Sequence, residues 1–408
     1  MITFIGLSHL SICYAASALY YGQKVLILDT KHEINLYKEK KFKIFEPNLD
    51  KILKKYSKNF KVSCQFDDAK KSDMIFLAKD IKTDKNNNIL LKETESLLRK
   101  IKSFDKKILV IMNQVPAGFT RKIKWNKSLL FHFVETLVFG DAINRAIKPE
   151  RIILGKKHIN HKVPNRLLNF FSLYNCEIIQ MTYEESELTK GFINTYLASQ
   201  LITTNFLSEI AKNYQSNWNR IINAVSMDKR IGKNGYYKPG LGISGGNIER
   251  DIQTLNKITI QNKIKNKLPE FFIKSNNYSR NWVNKIILEQ KIKNKKISIL
   301  GVTYKENTLS TKNGIQIDLL NKYKSKTMMH DFKSKNLIDS KKHLGMTINY
   351  KSLEHNLQKS NIVIIFHNIN LYKKIKFYKY KNIKCLIDPY NVADVKNIKN
   401  IKYYKLIK

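Results

Sequence analysis

The chain is short of cysteine, of acidic residues and of long apolar runs, and each shortage closes off a class of protein. Its four cysteines, Cys13, Cys64, Cys176 and Cys385, stand far apart with no CxxC spacing. That excludes a disulfide framework and a zinc ribbon, leaves no metal site in view, and suits a reducing compartment. No stretch reaches the roughly 18 uninterrupted apolar residues of a spanning helix. The run from Met1 to Tyr21 imitates a signal peptide, but it lacks a basic leading region and carries Gly6, Ser8 and His9 within its first strand-to-helix turn. A soluble cytoplasmic protein with no membrane contact is expected. Acidic residues number 33 against 74 Lys and Arg, a formal net charge of +41. Such a balance raises the question of nucleic acid. The excess, however, is mostly Lys, spread from Lys24 to Lys408 among Ile and Asn, whereas a nucleic-acid module gathers charge on one element and interleaves Arg and aromatics with it. No nucleic-acid partner is expected, although a positive surface draws in anionic small molecules.

What is present is a folded chain, 408 residues long with 43% hydrophobic and 11% aromatic residues, too long for one core. Ile2 to Ile5 reads as a strand, followed by a turn of small residues, a helix from about Ser11 to Tyr21, and a strand Lys24 to Leu28 ending in Asp29, which is a βαβ unit. Asp73 to Ala78 and Lys107 to Met112 continue the alternation and imply a parallel sheet. From Tyr183 to Asn213 runs a long helix that needs a partner face. Helical sequence returns at Asn219 to Met227, a Gly-rich loop follows at Pro239 to Gly246, and Ile297 to Leu300 opens a second strand-turn-helix unit, with later strands at Asn361 to Phe366 and Cys385 to Ile387. The expected fold is α/β. Two Rossmann-like doubly wound parallel-sheet domains, 1–182 and 291–408, are joined by an all-helical middle domain, 183–290, with a long central helix.

Three motifs carry chemistry. Gly6-Leu7-Ser8-His9-Leu10-Ser11 follows a strand and opens a helix, with Asp29 about 20 residues on, as a dinucleotide fingerprint requires. Gly6 permits the tight turn, and Ser8 and Ser11 stand where glycines usually let the backbone approach a pyrophosphate. Asp29 would accept hydrogen bonds from an adenosine ribose and repel the extra phosphate of NADP, which points to NAD. Taken alone, so altered a turn also occurs in βαβ units that bind nothing. Lys190 and Asn194 lie four residues apart on one face of the long helix. A lysine beside a hydroxyl can take up its proton when burial favours the neutral amine, and an asparagine can hold the same hydroxyl, which is alcohol-oxidation chemistry; the same pair is also commonplace on a solvated face. In Pro239 to Asn247, four of the 15 glycines fall within seven positions, as in a backbone that lies close to a ligand.

Read in order, these segments resemble the UDP-glucose/GDP-mannose dehydrogenase family over nearly the whole chain. Glu46-Pro47-Asn48-Leu49 is similar to the family's Glu-Pro-Gly-Leu, and Val115-Pro116-Ala117-Gly118-Phe119-Thr120 to its Val-Pro-x-Gly-Thr-Thr turn. Glu135 to Ala142, then Pro149-Glu150-Arg151, resembles its Glu-Phe-Leu-x-Glu-Gly-x-Ala segment and the Pro-Asp-Arg beyond. Asp228-Lys229-Arg230-Ile231-Gly232 falls in the middle region, and Gly301-Val302-Thr303-Tyr304-Lys305, with Asn307-Thr308, resembles the start of the family's nucleotide-binding domain. The resemblance implies NAD on the first domain, a nucleotide-sugar substrate, most readily a UDP-sugar, on the last, and a homodimer formed through the long helix. It implies that Lys190 and Asn194 handle the sugar hydroxyl, that Glu135 and Asp251 manage proton and water, that Gln114 and Lys312 join Gly6, Ser8, Ser11 and Asp29 around the cofactor, and that Gly242, Gly245 and Lys305 meet the substrate. A place in polysaccharide or cell-envelope sugar synthesis follows from the same resemblance.

The departures are chemical. The family's Gly-rich loop ends in a cysteine that captures the aldehyde of the first oxidation so that a second hydride can leave; here that catalytic position is Asn247, and an amide cannot do thiolate chemistry. Gln114 replaces a threonine, Phe139 a second glutamate, and Tyr390-Asn391 an Arg-Asn pair. Oxidation of a nucleotide-sugar hydroxyl by hydride transfer to NAD is the expected activity. Left open beside it are a two-electron oxidation that stops at the carbonyl, and a non-catalytic protein that binds NAD or a nucleotide sugar as a regulator.

Overall fold

The computed structural model describes residues 1–41, 44, 46–84, 89–306, 310–331 and 351–406; the Asn307-Thr308 pair lies outside them. The chain forms two compact units, Met1–Ile193 and Asn194–Lys408.

The first unit is built on eight strands: β1 (Ile2–Ile5), β2 (Val25–Leu28), β3 (Phe60–Ser63), β4 (Met74–Leu77), β5 (Ile108–Ile111), β6 (Leu130–Phe133), β7 (Arg151–Lys156) and β8 (Glu177–Thr182). They lie in the order β3-β2-β1-β4-β5-β6-β7-β8. All neighbours are parallel except β6 and β7. The central strands ITFI, VLIL, MIFL and ILVI are buried at every position, as befits a parallel sheet covered on both faces. One face packs Phe4, Phe76 and Phe133 against helix His9–Tyr20 and residues Phe170 and Phe171; the other packs Ile5, Leu77 and Leu109 against Leu97 and Phe104. Strand order reverses between β1 and β4, and in such sheets ligands bind outside the carboxyl ends of the strands at that reversal. The Gly6 turn lies there.

The second unit carries β9 (Ile297–Leu300), β10 (Thr327–His330), β11 (Ile362–Ile365), β12 (Cys385–Ile387) and β13 (Lys402–Tyr404), all parallel in the order β10-β9-β11-β12-β13. From Asn194 onward the middle segment shares this unit. The reason is packing: Leu241, Val283, Ile286 and Ile287 enter one core with Ile297, Ile299 and Ile364. Helices Trp218–Ser226, Asn247–Gln261, Leu268–Arg280 and Trp282–Glu289 all belong to it.

The long helix spans Tyr183–Asn213. Its first residue is anchored in the first unit, where the buried Tyr183 hydroxyl donates to the Leu130 carbonyl at 2.7 Å. One turn on, Ser186 Oγ and His132 Nδ1 stand 2.8 Å apart. Burial pushes His132 down to about 4 from its ordinary 6.5, so it is neutral in the folded chain at neutral pH. As pH falls from 6.5 to 4 the unfolded chain takes up this proton first, so the stability contributed by neutral His132 is complete above 6.5 and is lost across that window. The loss should reach about 3 kcal/mol. Denaturant titrations at a series of pH values should show this fall in the wild type and a shallower one in His132→Gln; equal slopes would refute the assignment.

Candidate functional site

In the first unit Gly6 adopts φ +96, and a Cβ there would meet the Cβ of Lys79 at 2.5 Å, so only glycine allows β1 to turn this tightly against the end of β4. Ser8 and Ser11 form a reciprocal cap on helix His9–Tyr20: each side chain accepts from the other's backbone N–H, at 2.9 and 3.3 Å. Ser8 Oγ also donates to the Ala78 carbonyl at 2.6 Å. The two serines that stand in place of glycines thus hold the helix start in shape. Asp29, buried at the end of β2, accepts from Leu7 N at 2.6 Å and Thr30 N at 2.7 Å and pairs with Lys79 Nζ at 2.7 Å. A left-handed glycine, a 12-residue helix and a strand-end carboxylate suit a dinucleotide. Gln114 lies half-buried just past β5.

Two residues of this region carry no signal in the fingerprint itself. Glu46 accepts from Gly140 N at 2.9 Å and Ala142 N at 3.2 Å, and its Oε1 lies 2.7 Å from His9 Nε2. Burial alone would raise Glu46, but the bonds from His9 and Gly140 hold it below the usual carboxylate range. It thereby fastens the Glu-Pro segment to the Glu135–Ala142 segment, and the ring of Phe139 lies over His9 with centroids 4.2 Å apart. Glu187 accepts from Gly118 N at 2.5 Å and Thr120 N at 2.7 Å, tying the long helix to the Val-Pro turn.

Lys190 projects from the long helix to Glu135, donating to its carbonyl at 2.8 Å and pairing with its carboxylate at 3.1 Å. Both side chains are mostly buried. In this pairing the Lys190 ammonium donates and the Glu135 oxygens accept.

In the second unit Asn194, one helical turn beyond Lys190, donates its amide to Asp251, whose other oxygen takes Arg250 Nε at 3.1 Å. All three side chains are buried. Asp251 and Arg250 come from helix Asn247–Gln261, whose first residue, Asn247, is exposed. Leading into that helix, Gly242 and Gly245 adopt φ +88 and +93; a Cβ on the first would meet Asn276 Oδ1 at 2.5 Å and on the second the Tyr304 ring at 2.9 Å. The Gly-rich loop is thus shaped by close packing. Asn276 Oδ1 accepts from Ile243 N at 2.6 Å, Arg280 donates to the Ile243 carbonyl at 2.9 Å, and Gly245 N donates to the Lys312 carbonyl at 3.1 Å. Lys305 is half-buried, its ammonium 5.8 Å from the centroid of the Tyr304 ring. Where the resemblance leads to an arginine, Tyr390 lies under the Lys238 ammonium at 6.0 Å.

A left-handed glycine turn at the strand-order reversal and a strand-end aspartate define the first unit as a domain of the Rossmann type. Comparison with known proteins narrows the class. The NAD binding domain of the UDP-glucose/GDP-mannose dehydrogenase family matches residues 1–174 and the central domain of the same family residues 184–278. UDP-glucose 6-dehydrogenase of Rickettsia prowazekii is 26% identical over 432 aligned positions, covering 99% of this chain and 98% of that one. UDP-glucose 6-dehydrogenase of Campylobacter jejuni is 30% identical over 233 residues, 55% of this chain. The chain spans less than two thirds of the length of two of the curated relatives it matches, 29% and 57%. The structure of a UDP-glucose dehydrogenase from Pyrobaculum islandicum superposes with a TM-score of 0.85 at 20% identity, covering 100% of this chain and 97% of that one, and shows the same fold. The chain belongs to the UDP-glucose/GDP-mannose dehydrogenase family, and its first unit contains the family's NAD-binding domain.

The shape of the Gly-rich loop rests on Asn276. Replacing it by Ala leaves Ile243 N buried without its acceptor, and should lower stability by about 1–3 kcal/mol in urea titration; an unchanged midpoint would show that the loop is held otherwise.

Proposed function

We propose that the protein oxidises a hydroxyl of a UDP-linked sugar by transferring its hydride to NAD. The observation that supports this most directly is the pairing along one helix of Lys190 with Glu135 and, a turn later, Asn194 with Asp251. NAD, when bound, supplies the hydride-accepting ring. Lys190 stabilises the negative charge that grows on the sugar oxygen as the hydride departs, and Glu135, already hydrogen-bonded to it, receives the hydroxyl proton. Asn194 orients the hydroxyl through its amide, which Asp251 and Arg250 hold in one rotamer. Gln114 joins the fingerprint turn in the cofactor's surroundings, and Lys305 and Lys312 offer positive charge. Lys312 itself lies below the ordinary lysine range, from partial burial first and the neighbouring Arg250 charge second.

The names of the Campylobacter and Rickettsia relatives, both UDP-glucose 6-dehydrogenases, favour a UDP-sugar as substrate. Large apolar side chains left exposed along the long helix, among them Tyr196, Phe206 and Leu207, favour a homodimer formed on that helix. Four free thiols accord with the cytoplasm, and among the described residues no helix is long and apolar enough to cross a membrane. Supply of an oxidised sugar for polysaccharide or cell-envelope assembly fits this activity.

Asn247 favours a product left at the carbonyl stage. The second unit's cysteine, Cys385, is buried in β12 and burial pushes its thiol up to about 12, so it offers no thiolate to the aldehyde.

Lys190→Ala should lower kcat by roughly a hundredfold or more, while NAD affinity measured by calorimetry stays as in the wild type; unchanged turnover would remove Lys190 from the chemistry. When hydroxylamine is present during turnover, mass spectrometry should find a trapped sugar carbonyl, and recovery of the uronic acid alone would overturn the carbonyl-stage product.

A further inference from the structure

At the mouth of the fingerprint turn three backbone amides and the Asp29 carboxylate have partners from the chain itself. Leu7 N donates to Asp29, Ser8 N to Ser11 Oγ at 2.9 Å, and His9 N, the first amide of the helix, to Asp80 Oδ2 at 3.2 Å. Asp29 has one oxygen on Thr30 N and the other shared between Leu7 N and the Lys79 ammonium. Lys79 is 7% exposed; besides Asp29 it reaches the Leu7 carbonyl at 3.3 Å and Glu93 at 3.4 Å. Burial by itself would lower Lys79, but Asp29, Glu33 and Glu93 hold it above the usual range, so it stays an ammonium.

The second unit supplies an internal comparison. There Gly301, at φ +93, follows β9, Val302 N donates to Asp331 at 2.9 Å, and a Cβ on Gly301 would strike the His367 ring at 2.4 Å. The turn, the strand-end aspartate and the basic side chain recur, yet His367 Nδ1 stays 3.9 Å from Asp331, beyond hydrogen-bond reach.

We propose that Lys79 and Asp80 together are an internal stand-in for the cofactor. The Asp80 carboxylate takes the place of a phosphate on the N-terminus of helix His9–Tyr20, and the Lys79 ammonium takes the place of the ribose hydroxyls on Asp29. This rests on the reading of the turn as the NAD site. A helix start attracts any anion through its dipole and its unpaired amides, so a tethered carboxylate competes with a diphosphate for the same donors. Cofactor binding must then displace both side chains, and the two residues set NAD affinity without touching the sugar. Lys79, once moved off Asp29, carries a positive charge that the diphosphate can pair with.

The test is calorimetric titration of the full chain with ADP-ribose, which carries the competing half of NAD, and with nicotinamide mononucleotide, which lacks the adenosine. Asp80 is exposed at the surface, although its surroundings, burial first, raise its carboxyl above the ordinary aspartate range. Asp80→Asn should bind ADP-ribose roughly tenfold more tightly than the wild type, since it removes a charge held at the helix start, and should bind nicotinamide mononucleotide unchanged. Equal ADP-ribose affinities in wild type and Asp80→Asn, with NAD bound by both, would overturn the stand-in while leaving the NAD site in place. Absence of NAD and ADP-ribose binding in wild type and variant alike would overturn the NAD reading itself, and the stand-in with it.

Discussion

In each unit a strand-end carboxylate accepts the backbone N–H that follows a left-handed glycine: Asp29 holds Leu7 and Asp331 holds Val302. This single bond fixes where the first strand of each sheet stops and how the chain leaves it. Without it the glycine turn would have no preferred direction, and an N–H inside the sheet's carboxyl edge would be left without an acceptor. In the first unit the same carboxylate also neutralises a buried lysine, so turn geometry and local charge are decided by one side chain. Breaking that pair from the lysine side would strand a buried carboxylate, and from the aspartate side a buried ammonium.

The long helix is the second organising element. Its early turns carry Ser186 and Glu187, which fix it to β6 and to the Val-Pro turn, and then present Lys190 to Glu135. In the proposed chemistry this rigidity holds a cation and a proton acceptor at a fixed separation before the substrate arrives. Asn194 gains the same rigidity from Asp251 and Arg250, two residues that the sequence places side by side at the start of one helix.

Much of this was legible in the residues. The uninterrupted apolar runs of β1, β2, β4, β5, β9, β11 and β12 announce a covered parallel sheet, and the long helix runs from Tyr183 to Asn213 as its pattern of apolar positions requires. Strands β3, β8 and β13 are half exposed and carry Lys, Glu and Gln, so their alternation is blurred, and β6 hides a histidine in an apolar run. The ordered motifs led to the family, which the matches over residues 1–174 and 184–278 establish. What the sequence could not convey was the partner of each charge. Lys79, fifty positions away, lies against Asp29; Ser8 and Ser11 cap one helix start reciprocally; Glu135 lies beside Lys190. Side-chain pairing across a fold has no signature in spacing, whereas the backbone turns that bring the pairs together do.

Hydride transfer from a nucleotide sugar is tested most directly by counting NADH formed against sugar consumed. With purified protein, NAD and a panel of UDP-sugars headed by UDP-glucose, the pairing of Lys190 with Glu135 and the absence of a thiolate at Asn247 predict one NADH for each sugar consumed. No NADH from any member of the panel, under conditions in which NAD is bound, would contradict it.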